Sequence, residues 1–151
     1  GGLSLASIKK GAAFAEAGIA KAGRDPAKFR KAGFVYFACS EDGLTAIESN
    51  RRKIAFLFRN SAQAENIASV DVQIDHAAII DLVKQRKIEE AAQMIPPEAV
   101  PQFTVAGTPK QCRDQLQAYI DAGVDEPVIE VSGSAEEKCL ALDVIREFTS
   151  D

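Results

Sequence analysis

The chain has 151 residues, the length of one ordinary domain, and 46% of them are hydrophobic, which is enough for a packed core. Its formal net charge is -4, with acidic and basic residues interspersed. This balance excludes the clustered basic surface of a nucleic-acid-binding domain, and no apolar run reaches the length of a membrane span. We therefore expect a cytoplasmic protein with neither nucleic acid nor membrane as a partner.

The three cysteines give no sign of a disulfide framework or a metal site. Cys39, Cys112 and Cys139 are odd in number, far apart, and form no CxxC pair. Each stands beside apolar residues, which predicts small buried side chains in a reducing compartment. No metal site is expected.

The first part of the chain alternates helix and strand signals. Apolar residues recur at steps of four, three and four from Ile8 to Ile19, which predicts a helix over 7–22. A continuous apolar run rich in aromatic and β-branched residues predicts a strand over 33–39, buried on both faces. An amphipathic pattern then predicts a second helix over 43–59.

The remainder begins with a predicted helical insertion over 61–106, in which short helical segments are separated by proline and other breakers. Two capping boxes follow, each pairing a Ser or Thr with a Gln or Glu three residues later. They predict helices over 109–122 and 135–149. Between these helices, the run EPVIEVS predicts a strand over 127–132.

Alternation of helix and strand indicates a parallel α/β sheet. Only two convincing strands are predicted, however, and two strands do not make a stable sheet. Each would also leave unpaired backbone groups along an edge. We therefore expect the chain either to be the C-terminal part of a larger barrel or sheet, or to assemble with other copies.

Two passages of the chain resemble the luciferase-like monooxygenase superfamily. The first is AKAGRDPAKFRKAGFVYFACSED, with an AGRDP turn before a strand, and the second is VAGTPKQCRDQLQAYIDAGVDEPVIEV, with a GTP helix start and a DAGVD turn. Flavin- and deazaflavin-dependent reductases similar to methylenetetrahydromethanopterin reductase share both passages in this order. The resemblance covers almost the whole chain, from Ser4 to Phe148.

The resemblance implies a fold. The family folds as a (β/α)8 TIM barrel with a helical insertion after the seventh strand, and a complete barrel takes about 250 residues. Residues 33–39 would be the seventh strand and 127–132 the eighth, with Gly1 following a lost sixth strand. The expected fold class is α/β: the C-terminal part of a TIM barrel, helix-rich, with two main parallel strands. Residues 1–151 would form a single incomplete barrel segment.

The resemblance also implies chemistry. Such enzymes are oxidoreductases or monooxygenases that act on a small-molecule substrate with a flavin-type cofactor, here FMN or the deazaflavin coenzyme F420. The cofactor supplies hydride or oxygen chemistry, and the protein binds and orients it. Without the first part of the barrel, the chain alone is expected to be inactive. The alternative is a non-catalytic α/β interaction module that self-associates to complete its sheet. The expected partner is therefore the remainder of the barrel or a second copy of the chain.

Barrel chemistry belongs at the C-terminal ends of the strands. Helix N-termini at this edge offer free N–H groups and a positive dipole end, which suit an anion such as a cofactor phosphate. Plain helix capping is the alternative at each position, and no catalytic residue can be assigned. The candidate cofactor-binding residues are Gly107, Thr108, Ser132, Gly133 and Ser134.

Three further features are interpreted as structural. His76 is the only histidine and has no partner fixed by spacing, so a surface or capping role is favoured over a substrate contact. The carboxylates of Glu41 and Asp42 suit the dipole at a helix start better than acid–base catalysis. The basic run at 51–53 lies in mid-helix and is expected to be a solvated face rather than a phosphate site.

Overall fold

The computed structural model of the chain describes residues 1–149 and contains a three-stranded parallel sheet. Its strands are β1 (Ala32–Cys39), β2 (Val105–Gly107) and β3 (Glu126–Ser132), in the order β2-β1-β3. Cys39 pairs with Gly107 on one side of β1, and Ala38 pairs with Ser132 on the other. All three C-terminal strand ends therefore lie at one edge of the sheet.

Eight α-helices surround this sheet in the described part of the chain. They are α1 (Leu5–Lys21), α2 (Leu44–Phe58), α3 (Ala64–Ile67), α4 (His76–Lys84), α5 (Ile88–Gln93), α6 (Val100–Phe103), α7 (Pro109–Asp121) and α8 (Ala135–Arg146). Elements α1, α2, α7 and α8 stand where long helices were predicted, with ends that differ by a few residues. The last two residues of the chain lie outside the described part.

The two main strands predicted over 33–39 and 127–132 are found as β1 and β3, and the short third strand β2 corrects the prediction of a purely helical insertion over 61–106. Helices α3 to α6 do fill most of that insertion, but Val105–Gly107 leaves it as β2 and pairs with the end of β1. Three residues are too few to show the alternation by which a strand is recognised. They also run directly into the N-cap of α7, so only the pairing with β1 reveals the strand.

Helices cover the sheet on both faces, and each face has its own hydrophobic core. On one face, Val35, Phe37 and Cys39 of β1 pack with residues of α7 and α8. On the other face, Ala106 of β2 packs with Ile54 and the rest of the inward side of α2, together with the helical insertion. The strand at the centre is thus buried on both faces in its C-terminal half, which explains its continuous apolar run.

Part of the α2-side face remains uncovered in the described structure. Phe34 of β1 and Val128 of β3 are register partners, and their side chains are 44% and 50% exposed. The ring of Tyr36 packs edge-on against Phe34, with centroids 5.2 Å apart. Within residues 1–149, β3 also has no strand on its outer side. An apolar face next to an open strand edge is the main unpartnered surface of the sheet.

The cysteine prediction holds for two positions and is wrong for one. Cys39 and Cys112 are buried, and burial raises the pKa of both thiols. Cys139 is exposed because Ala141 and Val144 occupy the inward positions of α8. Among the helices of residues 1–149, none has the length and apolar character to cross a membrane.

Candidate functional site

The C-terminal edge of the sheet holds all five predicted cofactor-binding residues, but it separates them into two groups. Gly107 and Thr108 end β2 and begin α7, while the group from Ser132 to Ser134 links β3 to α8. Strand β1 lies between β2 and β3, so the two groups are two strand spacings apart, roughly 10 Å. Each group therefore has its own surroundings.

The group at Gly107 and Thr108 is closed by a side chain of its own helix. The backbone N–H of Thr108 donates to Oε1 of Gln111 at 2.9 Å, and the Thr108 hydroxyl accepts from the N–H of Gln111. Gly107 has φ +152, and a Cβ there would come within 2.6 Å of the Gln111 amide oxygen. Glycine suits this position because residues with a side chain rarely adopt this φ, and because the capping side chain of Gln111 occupies the adjacent space.

The group at Gly133 and Ser134 repeats this arrangement with a carboxylate. The backbone N–H of Ser134 donates to Oε2 of Glu137 at 2.6 Å, and the N–H of Glu137 donates to the Ser134 hydroxyl at 3.2 Å. Gly133 has φ +113, and a Cβ there would lie 2.7 Å from the same carboxylate oxygen. The positive end of α8 is thus already matched by a negative side chain.

The start of α2 completes this edge with a third side-chain cap, and its capping group is a carboxylate, as at α8. Asp42 accepts from the backbone N–H of Thr45 at 3.1 Å and from the hydroxyl of Ser40 at 2.9 Å. These hydrogen bonds, the Thr45 N–H first among them, hold the pKa of Asp42 below its ordinary value. Asp42 therefore does what was expected of a carboxylate at a helix start.

A groove of 460 Å³ lies between the starts of α2 and α8 and is strongly acidic. Five of its lining side chains are carboxylates, and no basic residue lines it. Its lining residues are Ser40, Glu41, Asp42, Thr45, Glu136, Glu137, Leu140 and Asp143. A phosphate entering this groove would meet repulsion, so the groove does not favour the anion expected at these helix starts. In residues 1–149 no three His, Cys, Asp or Glu side chains come together as in a metal site.

Ser132 differs from the other candidates because its side chain meets basic and amide groups of α2. The Nζ of Lys53 donates to the Ser132 hydroxyl at 2.7 Å and also contacts the carboxylate of Glu130. The Ser132 hydroxyl in turn donates to Oδ1 of Asn50 at 3.3 Å. The ammonium lies 5.3 Å from the ring centroid of Tyr36, and burial, followed by the charge of Glu130, raises the pKa of that phenol.

The three basic residues at 51–53 correct the expectation of a uniform solvated face. Arg51 is largely buried and donates through Nε and Nη2 to the carbonyl of Ile95, which ties α2 to the end of α5. Arg52 forms an exposed ion pair with Glu89. Lys53 instead points to Ser132, so the three neighbours have three separate roles.

A second groove, of 450 Å³, runs beside Lys53 and has the opposite charge from the acidic one. Its lining residues are Arg52, Lys53, Phe56, Val83, Arg86 and Ile88. Three of these carry positive charge, none carries negative charge, and the rest are apolar. An organic anion suits this lining better than it suits the acidic groove.

His76 has a structural partner. Its Nε2 lies 2.7 Å from the carbonyl oxygen of Phe58, so this nitrogen carries the proton and donates. The bond joins the start of α4 to the end of α2, and the imidazole also packs edge-on against the Phe58 ring. This contact agrees with the structural interpretation of His76.

Together, the fold and the candidate site place this chain in the class of α/β proteins that carry polar side chains at the C-terminal edge of a parallel sheet. The chain belongs to the luciferase-like monooxygenase family, because the sequence profile of the family described as "Luciferase-like monooxygenase" matches residues 1–126. This match confirms the resemblance carried by the AGRDP and DAGVD passages. A search among curated proteins found no match.

Two solved structures have a similar fold. A coenzyme F420 dependent tetrahydromethanopterin reductase from Methanopyrus kandleri is 22% identical with a TM-score of 0.79, covering 97% of this chain and 43% of its own. An F420-dependent secondary alcohol dehydrogenase in complex with an F420-acetone adduct is 15% identical with a TM-score of 0.66, covering 98% and 40%. The chain thus spans about two fifths of each, and its fold is similar to luciferase-like TIM-barrel proteins.

The family implies a flavin-type cofactor, and the described residues fit one in part. At Thr108 and Ser134, the backbone N–H groups that would hold a phosphate are bonded to Gln111 and Glu137. At Ser132, the Lys53 ammonium is also bonded, to the Ser132 hydroxyl and to Glu130, but it keeps one further N–H donor and lies next to the exposed aromatic surface of β1. The fit is therefore better on the Lys53 side of β3 than in the acidic groove.

Sequence reasoning missed Asn50 and gave Lys53 a different role. Both are about eighty residues from Ser132 in sequence, and only the packing of α2 on the sheet brings them to β3. One signal does exist for Asn50. It lies in the inward stripe of α2 between Ala46 and Ile54, where an amide is unusual and calls for a partner.

Proposed function

We propose that this chain is the C-terminal portion of a flavin- or deazaflavin-dependent oxidoreductase of the luciferase-like family and is inactive alone. Family membership carries the proposal. It is supported by the likeness to two proteins named as F420-dependent, of which the chain spans about two fifths. Coenzyme F420 is accordingly the first choice of cofactor and FMN the second. The remainder of the barrel, a small-molecule substrate and a cytoplasmic location belong to the same proposal.

The uncovered face of the sheet is the part of this chain that would serve such an enzyme. Phe34, Tyr36 and Val128 provide an apolar surface, and Glu130 and Ser132 add polar groups toward the C-terminal edge. Ligand pockets combine an apolar lining with a few convergent polar groups in this way. The bound cofactor supplies hydride transfer, and these residues would position it and exclude water from it. Gly107, Thr108, Gly133 and Ser134 remain proposed cofactor contacts from the sequence.

The test is a fluorescence titration of coenzyme F420 and of FMN with the protein as its native host makes it. We expect saturable binding of one of them at a stoichiometry of one per polypeptide. The recombinant 151-residue chain serves as the comparison and is expected to bind neither, since it provides only one wall of the site. If the native protein binds neither cofactor, the proposed function is wrong.

A second function is favoured by one observation, the exposed pair Phe34 and Val128 beside the open edge of β3. Such an edge can pair with another copy, which gives a non-catalytic self-associating module. This candidate predicts that the native protein has the mass of this chain, 16.2 kDa, and forms a stable oligomer with a cooperative melt. A native mass near twice that value, with cofactor binding, favours the enzyme instead.

A further inference from the structure

Helix α1 has an apolar stripe that the rest of residues 1–149 leaves largely uncovered. The stripe, Ile8, Ala12, Ala15 and Ile19, lines a groove of 570 Å³ between α1 and the start of β1. None of the 17 residues of α1 is buried. The apolar side of an amphipathic helix normally packs on a core, and such packing supplies most of the stability of the helix. The groove is therefore where α1 lacks a partner.

The same groove borders an open edge of β1. Strand β3 pairs with β1 over residues 32–38, whereas β2 pairs with it only over 37–39. On the β2 side, residues 32–36 therefore have no strand partner within the described part of the chain. Ala32 and Gly33 line the groove, so this edge and the apolar stripe of α1 face one space. An open edge presents backbone groups with which another strand can pair.

The direction of the backbone groups along β1 shows which residues face this edge. The N–H of Ser40 donates to the carbonyl of Gly107, just beyond the paired ends of β1 and β2, at 3.1 Å. In a parallel strand, the N–H groups of alternate residues point to the same side. Phe34, six residues before Ser40, thus directs its N–H to the open edge. Val35 directs its N–H to β3.

The first residues of the chain are fixed beside the same edge. Nδ2 of Asn66 donates to the carbonyl of Gly2 at 2.8 Å, and its Oδ1 accepts from the N–H of Ser4 at 2.9 Å. A Cβ on Gly1 would lie 3.2 Å from the carbonyl oxygen of Phe34. A residue joined to the amine of Gly1 would therefore start at the open edge of β1.

The hand of the crossover connections points to the same side of β1. Helix α7 connects β2 to β3 and packs on the sheet face that carries Val35 and Phe37. Ile8 of α1 packs against this face as well. Crossovers between parallel strands share one hand. A strand that is joined to β1 through α1 therefore lies on the side from which α7 comes, which is the β2 side.

We propose that a strand from the polypeptide before Gly1 lies parallel to β1, pairs with its open edge at residues 32–36 and places apolar side chains in the groove beneath α1. The inference rests on the proposed function, which makes this chain part of a longer polypeptide. The two similar structures leave ample length for such a strand, since the chain covers 43% and 40% of them. The 17 residues of α1 suit a crossover between adjacent parallel strands.

The test measures hydrogen exchange of single backbone amides in the native protein by NMR spectroscopy. The amide of Val35 faces β3 and serves as the internal standard. If a strand pairs with the open edge, the amides of Phe34 and Val35 are protected to degrees that differ by less than about tenfold. A larger excess of exchange at Phe34 shows that the edge is open and overturns the proposal.

A matched pair of variants tests the groove. Ala15 and Ala17 are both exposed alanines of α1, but only Ala15 lines the groove. Ala15→Lys places a charge beneath the proposed strand and should lower the folding equilibrium constant of the native protein about tenfold or more. Ala17→Lys should change it less than about threefold. Urea denaturation measures both, and equal effects of the two substitutions overturn the proposal.

Two further outcomes separate the strand from its alternatives. Protection of Phe34 that is lost on dilution, together with dissociation of an oligomer, assigns the strand to a second copy and overturns the proposal. Titrations with coenzyme F420 and FMN test the proposed function separately. Protection of Phe34 without binding of either cofactor supports the strand and contradicts the proposed function. Cofactor binding with fast exchange at Phe34 does the reverse.

Discussion

Arg86 is the one non-glycine residue in the described part of the chain with a left-handed backbone, at φ 63. It follows the C-terminus of α4, where its N–H donates to the carbonyl of Val83 and the N–H of Lys87 donates to that of Leu82. Glycine is the usual residue at this position because a Cβ is strained there. We expect Arg86→Gly to raise the free energy of unfolding by about 0.5–1 kcal/mol.

Urea denaturation measures this change, provided that the dependence of the free energy of unfolding on urea concentration is the same in both proteins. Gln85 provides the control. Gln85 stands next to Arg86 with right-handed backbone angles, so Gln85→Gly should lower stability by up to about 1 kcal/mol. Opposite signs at neighbouring positions identify backbone strain as the cause. A loss of stability in Arg86→Gly contradicts it.

At the scale of elements, the two capping boxes allow capping to be separated from cofactor binding. Thr108→Ala and Ser134→Ala each remove a hydroxyl that accepts an N–H from the first helical turn. Each should lower the free energy of unfolding by about 1 kcal/mol, as measured by urea denaturation. If these residues only cap their helices, the cofactor dissociation constant stays unchanged in both variants. A rise in that constant together with the loss of stability supports their predicted role in binding.

Features of the fold could be predicted from the sequence when the interacting residues are close together along the chain. The capping boxes at Thr108 and Ser134 are local, with both partners within three residues, and their helices are found where they were predicted. Strand β2 is defined only by pairing with β1, more than sixty residues away, and was missed. The contact of Lys53 with Ser132 depends likewise on how α2 packs, so a mid-helix lysine was interpreted as solvated. Contacts between residues close in sequence could be predicted from the sequence, whereas contacts across the sheet could not.

At the scale of the molecule, the uncovered sheet face decides between the two proposed functions. Val128 on this face and Leu142 on α8 are both about half exposed, at 50% and 45%, so they form a matched pair. A surface substitution without special contacts changes stability by less than about 0.5 kcal/mol. Leu142→Lys should stay within that range in the native protein. If this face is covered in the native protein, Val128→Lys should change the stability or the assembly of the protein by more than that.

The size and kind of the effect at Val128 then identify what covers the face. If the rest of a barrel lies on it, a lysine there is an unpaired buried charge, and the free energy of unfolding falls by about 2 kcal/mol or more. If a second copy lies on it, Val128→Lys dissociates the oligomer while the chain stays folded. Urea denaturation and light scattering after gel filtration separate these outcomes. If Val128→Lys changes neither the free energy of unfolding nor the mass of the protein in solution, this face is open to solvent. That outcome contradicts both proposed functions, because each requires that this apolar surface contacts a partner.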